Sequence, residues 1–177
     1  MLELSVDSYK KFFDEEKNIE TIMWCGNYGE VIVSKTFFEC LKYTIDNTKA
    51  KIIITSNGSA RDVNWWKEIA LLLKNRGKVN FSIDGLEDTN HLYRVNANWS
   101  KIIQNASAFI EAGGKARWDY LIFSHNEHQV EDALTLARKL KFKQLLKALR
   151  PEILIGCLKD RIQDSETPLD IIMGKNN

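Results

Sequence analysis

Apolar positions along this chain recur with two spacings, and the spacing switches repeatedly from one to the other. Tyr9, Phe12 and Phe13 stand at i, i+3 and i+4 behind Ser5 and Asp7, either of which can cap a helix. The run Ile19 to Trp24 then predicts a strand. Thr36 to Asp46 predicts a helix with Phe37, Phe38, Leu41 and Ile45 toward the core. Ile52-Ile53-Ile54 is a short continuous apolar run, the signature of a strand covered on both faces.

The same alternation continues downstream. Asp62 caps a predicted helix bearing Trp65, Trp66, Ile69, Leu72 and Leu73, which Gly77 is expected to stop. Val79 to Ile83 predicts a strand, and Asn98 caps a helix through Ile102, Ile103, Ala106, Phe109 and Ile110, closed by Gly113-Gly114. Trp118 to Phe123 predicts another strand, and Val130 to Leu140 a helix in front of which Asn126 stands as a cap. Strand and helix thus alternate at spacings of roughly 30 residues, as βαβ units do, and such units build a parallel sheet. Gln144 to Leu149 fits a helix or a strand, and Pro151 breaks it. Asp164 to Asn177 is polar and reads as a loose tail.

Composition narrows the class. The 177 residues suffice for one domain with a real core, and 44% hydrophobic with 28% charged residues is ordinary for a globular protein. A formal charge of +1 gives no electrostatic basis for a nucleic-acid or membrane surface. No apolar stretch approaches a membrane span, and the first residues lack a signal-peptide pattern, so the cytoplasm is the expected location. Cys25, Cys40 and Cys157 are too far apart for a disulfide framework or a CxxC metal site.

The polar, glycine-bearing stretches all fall at the C-terminal ends of predicted strands, the edge where α/β sheets and barrels bind ligands. They read Cys25-Gly26-Asn27-Tyr28-Gly29-Glu30-Val31, Ser56-Asn57-Gly58, Ser82-Ile83-Asp84-Gly85 with His91-Leu92-Tyr93-Arg94 downstream, and Trp118 to Phe123 followed by His125-Asn126-Glu127-His128-Gln129. Taken in order, these words resemble the core of the radical S-adenosylmethionine (SAM) superfamily, closest to members with a SPASM or twitch extension. The resemblance covers about residues 19–142. It implies a partial (β/α) barrel of parallel strands with outer helices, assigned to residues 1–142, with 143–177 as a C-terminal extension.

Further expectations follow from the resemblance alone. Gly29 and Glu30 match the family's Gly-Gly-Glu-Pro word, which holds the SAM ammonium, with Val31 in place of proline. Asn57 stands in the Thr-Asn-Gly word, and Ser82 and Asp84 in Ser-x-Asp-Gly. Arg94 matches an arginine that reaches the SAM carboxylate, and the strand at 118–123 lies where adenine is cradled. The implied cofactors are SAM and a [4Fe-4S] cluster, and the implied activity is reductive cleavage of SAM to a 5′-deoxyadenosyl radical acting on a small-molecule or peptide substrate. The family's Cys-x3-Cys-x2-Cys loop has no counterpart here, and one cysteine cannot hold a cluster that needs four ligands. The first βα unit therefore reads as truncated, which keeps a non-catalytic remnant or binding module as the alternative. An unpaired sheet edge at 19–24 would favour self-association.

Overall fold

A computed structural model describes residues 5–16, 18–26 and 29–149. The chain begins with helix α1, Val6–Glu15, whose first turn is capped by Ser5 Oγ accepting the Ser8 N–H at 3.1 Å. Tyr9 and Phe13 turn inward against Cys40, and the Tyr9 hydroxyl meets Thr44 Oγ1 at 2.5 Å. Phe12, expected on the same face, is 52% exposed because the short helix has only one side covered.

Five strands follow, each separated from the next by helix: β1 Thr21–Trp24, α2 Phe37–Asn47, β2 Lys51–Ser56, α3 Val63–Leu73, β3 Gly77–Ser82, α4 Asn90–Tyr93, α5 Trp99–Glu111, β4 Ala116–Ile122, α6 Val130–Lys139 and β5 Gln144–Leu149. The strands form one sheet in the order β1-β2-β3-β4-β5, every pair parallel. This is the parallel α/β architecture the alternation predicts. The segment 144–149, open between helix and strand in the sequence, is a strand paired with β4 from Arg117↔Gln144 to Ile122↔Leu149.

Local chemistry sets the element ends. Asp62 accepts from the Trp65 N–H at 2.9 Å to start α3, and Asn98 from the Lys101 N–H at 2.9 Å to start α5. Helix α5 closes as a Schellman motif: Gly113 takes φ +90°, its N–H reaches Ile110 O, and the Gly114 N–H reaches Phe109 O. Gly77 does not stop α3 as its position suggests. Lys74 turns the chain at φ 45°, and Gly77 opens β3 instead. A Cβ there would come within 2.7 Å of Leu73 Cδ2 and 3.0 Å of Ile52 O, so its role is close packing on β2.

The helices lie against one face of the sheet. Its strand side chains, Ile52, Ile54, Val79, Phe81, Trp118 and Tyr120, interlock with Trp66 and Ile69 of α3 and Ile102 and Phe109 of α5. Burying each such side chain stabilises the fold by about 1.5–3 kcal/mol. The Trp65-Trp66 pair splits accordingly: Trp66 is fully buried against Phe81 and Phe109, and Trp65 packs partly buried at the core margin. Ile53 corrects the reading of its run as a strand covered on both faces. It is only half-buried and lies on the opposite face, from which the core takes nothing.

Candidate functional site

The C-terminal strand ends place four loops on one edge of the sheet. After β1, Glu30 is the residue that the loop positions most firmly. Its Oε2 accepts the Asn57 N–H at 3.0 Å, tying the first loop to the second, while Oε1 is buried and accepts no hydrogen bond among the described residues. Gly26 and Gly29 allow this loop to double back: a Cβ on Gly26 would fall on the Gly29 carbonyl. Gly29 itself is exposed, and Val31–Val33 form one 3₁₀ turn that buries Ile32.

The loop after β2 is self-contained. Asn57 Oδ1 accepts from the Ser59 N–H and Oγ, both at 2.9 Å, which is an Asx turn. Gly58 has φ +76°, and a Cβ there would lie 2.9 Å from Phe81 Cδ1. Asn105 of α5 donates to the Gly58 carbonyl at 2.8 Å. The side-chain oxygen of Asn57 is therefore spent on holding the turn.

Ser82 ends β3, half-buried and in register with Asp119. Two residues on, Asp84 is fully buried. Its Oδ1 accepts the Leu121 N–H at 2.6 Å and its Oδ2 accepts Arg94 Nε at 2.6 Å. Burial pushes the Asp84 carboxyl above the usual carboxylate range, while Arg94 and the Leu121 N–H pull the other way. The structure thus brings Asp84 and Arg94 together, with Arg94 bound through Nε to an internal carboxylate. The outer nitrogens of its half-exposed guanidinium make no hydrogen bond among the described residues.

Arg94 also lies over the Tyr93 ring, 5.0 Å from its centroid, at the start of an aromatic row. Tyr93 and Phe123 are 4.6 Å apart, and Phe123 stacks on His125 at 5.1 Å and 11°. His125 Nε2 is buried without a hydrogen-bond partner among the described residues, whereas His128 is exposed.

Asn126 corrects an expectation. It makes no side-chain cap to the helix behind it and is fully buried. Its amide donates to Asp84 O and Leu121 O, each at 3.0 Å, and its Oδ1 accepts the Phe123 N–H at 2.8 Å. Sequence reasoning also missed Asn90, whose Oδ1 accepts the Asp84 N–H at 2.9 Å, and Gln129, which bridges the Leu86 N–H, Thr89 Oγ1 and Asp88. The available signal was the density of Asn, Gln and Thr around a strand end, where buried polar groups must find partners.

The thiols are dispersed. Cys25 is exposed just beyond β1, Cys40 is buried in α2, and Cys157 lies outside the described residues. Burial and Glu39 raise the Cys40 thiol, which disfavours the thiolate that a metal would need. Among the described residues no group of three or more His, Cys, Asp or Glu side chains is placed to hold a metal, so these residues do not fit an iron–sulfur cluster.

No family model and no curated protein matches this chain. Solved structures do. The chain is similar to anSMEcpe with bound AdoMet at 21% identity and a TM-score of 0.61, over 80% of this chain and 40% of that one. anSMEcpe with bound AdoMet and Cp18Cys peptide matches at 20% identity and 0.61, over 80% and 40%. Streptococcus suis SuiB bound to precursor peptide SuiA matches at 17% identity and 0.59, over 77% and 33%. The chain therefore spans two fifths or less of the length of these proteins.

Proposed function

We propose that this chain, whose fold is the partial barrel of the radical SAM enzymes, binds S-adenosylmethionine on its C-terminal rim and presents a substrate to it. Structural likeness to anSMEcpe with bound AdoMet supports the ligand. The observation that carries the reading is the pairing of two unspent polar groups on one sheet edge. One is Glu30 Oε1, buried beside a glycine turn and unpaired among the described residues. The other is the outer end of Arg94, held in place through Nε and making no further hydrogen bond among the described residues.

A zwitterionic amino-acid group needs an acceptor for its ammonium and a donor fork for its carboxylate. Glu30 supplies the first and Arg94 the second, with Ser82 beside them on β3. The Phe123–His125 stack offers a flat apolar surface for adenine, and His125 Nε2 a polar contact at its edge. Asp84 and Asn57 act behind these groups, the one by orienting Arg94 and the other by shaping the loop that Glu30 grips. A [4Fe-4S] cluster, where one is bound, would supply the electron for reductive cleavage of SAM. The described residues bring no ligand set for that cluster, so the role assigned to them is binding and positioning. A peptide is the favoured substrate class, because SuiB is solved with its precursor peptide.

The second reading, a binding module of this fold without redox chemistry, is favoured by the dispersal of Cys25 and Cys40. The edge of β1 that has no partner among the described residues, where Met23 is 58% exposed, supports self-association in either case.

Titration with SAM followed by amide NMR tests the binding site. Resonances of residues 29–31 and 82–85 should shift with a Kd of about 1 mM, the weak affinity expected without an iron anchor. Ser82→Ala and Arg94→Ala should each weaken the response. Silence of the rim at several times that concentration would overturn the reading.

A further inference from the structure

The face of the sheet away from the helices carries charge far from the rim. Near the N-terminal ends of β2 and β3 a pocket of about 290 Å³ is lined by Lys51, Ile53, Arg76, Lys78 and Lys115 among others, with four cationic side chains and no carboxylate. Arg76 is anchored to backbone carbonyls, at 2.5 Å from Ile45 O and 3.0 Å from Ala50 O, and makes no ion pair among the described residues. Lys51 also borders a neighbouring pocket that holds Glu16, Glu20 and Asp46. Lys78 and Lys115 have no such neighbours in the lining, and neither makes an ion pair among the described residues. They sit side by side on adjacent strands, since the Val79 N–H bonds to the Lys115 carbonyl. Like charges placed so closely destabilise a sheet unless an anion joins them. One row nearer the rim, Arg117 is already neutralised by Asp119 through contacts of 2.6 and 2.8 Å.

We propose that this lysine pair is the specificity element for the substrate: the face of the sheet away from the helices takes an extended peptide whose acidic residue is anchored between Lys78 and Lys115. The inference rests on the reading of the rim as the SAM site and of the substrate as a peptide. Charge complementarity chooses the acidic residue, and strand geometry fixes its place. Lys78 and Ser82 lie on the same face of β3 four residues apart, about 13 Å along the strand. An extended peptide covers about 3.3–3.6 Å per residue, so the anchored carboxylate stands about four positions from the residue presented at the rim.

The test uses the full chain and a fluorescein-labelled peptide of alanine, serine and glycine with two adjacent glutamates at one end. A control peptide carries glutamines there, and a single-stranded oligothymidylate of matched charge serves as a second control. Anisotropy titration should give about fivefold tighter binding of the glutamate peptide, a gap lost in the Lys78→Ala/Lys115→Ala variant and in roughly 500 mM salt. Both lysines lie outside the hydrophobic core, and an unchanged melting temperature verifies that the variant is folded. Equal binding of the two peptides, or a gap that survives the double substitution, overturns the proposal. So does equal or tighter binding of the oligothymidylate, which would make the face a general polyanion surface. SAM is titrated by NMR in the same preparations: loss of the rim response with the peptide gap intact sinks only the SAM site, and the converse sinks only the lysine anchor.

Discussion

The decisive pair at the level of single residues is Asp84 with Arg94. A fully buried carboxylate is costly unless its partners are all in place, and here the Leu121 N–H and Arg94 Nε both serve it. Because burial raises its pKa, the folded state favours the protonated acid. That contribution is complete below the ordinary carboxylate value and is lost as pH rises through the raised one. At neutral pH Arg94 offsets the loss. Arg94→Ala should therefore destabilise the fold by about 3 kcal/mol at pH 7, and by progressively less as the pH falls and Asp84 takes up a proton. Urea midpoints measured across that range check it; a destabilisation independent of pH would show that the pair is not what matters. The pairing was not legible in the sequence. Asp84 and Arg94 each stood out as ligand candidates, but only the turn through α4 brings the guanidinium back onto the carboxylate.

Among the elements, strands and helices were readable wherever the apolar period was long and a cap residue stood at the boundary, as at Asp62 and Asn98. Reading failed where one residue type serves two geometries. Asn98 and Asn126 both precede helices, yet one caps through a single bond at the surface and the other is swallowed by the sheet edge with three bonds. Their substitutions should differ in proportion. Asn98→Ala should cost about 1 kcal/mol, the worth of a cap. Asn126→Ala removes the side-chain bonds to two carbonyls and one N–H at the sheet edge and should cost about 3 kcal/mol. Thermal melts of the two variants measure the difference, and equal melting temperatures would refute a structural role for the three Asn126 bonds beyond that of a cap. Gly77 failed for the same reason, since glycine serves a helix stop and a close strand contact equally well. Ile53 shows the limit of hydrophobic runs: composition alone does not say whether the second face of a strand meets a helix.

For the molecule as a whole, the parallel sheet and its loaded edge were legible because four polar words recur at strand ends in order. The expectation about a cluster rests on where the described thiols lie. With Cys25 exposed beyond β1 and Cys40 inside α2, the described thiols lie on separate elements. Anaerobic reconstitution of this chain with iron and sulfide, followed by dithionite and SAM, should yield no 5′-deoxyadenosine by chromatography. Its formation would show that the chain assembles a cluster by itself.

The strand order has a further consequence for how the molecule holds together. Each strand is bonded only to those directly before and after it in the chain, so every ladder closes a loop of similar, modest length. The sheet can be laid down one unit at a time and can come apart the same way, from its margins inward. Losing β1 or β5 breaks one ladder, whereas losing β3 cuts the sheet in two. Ser82 ends that middle strand and Asp84 follows two residues later. The groups that demand the most exact placement therefore belong to the part of the chain that is last to let go.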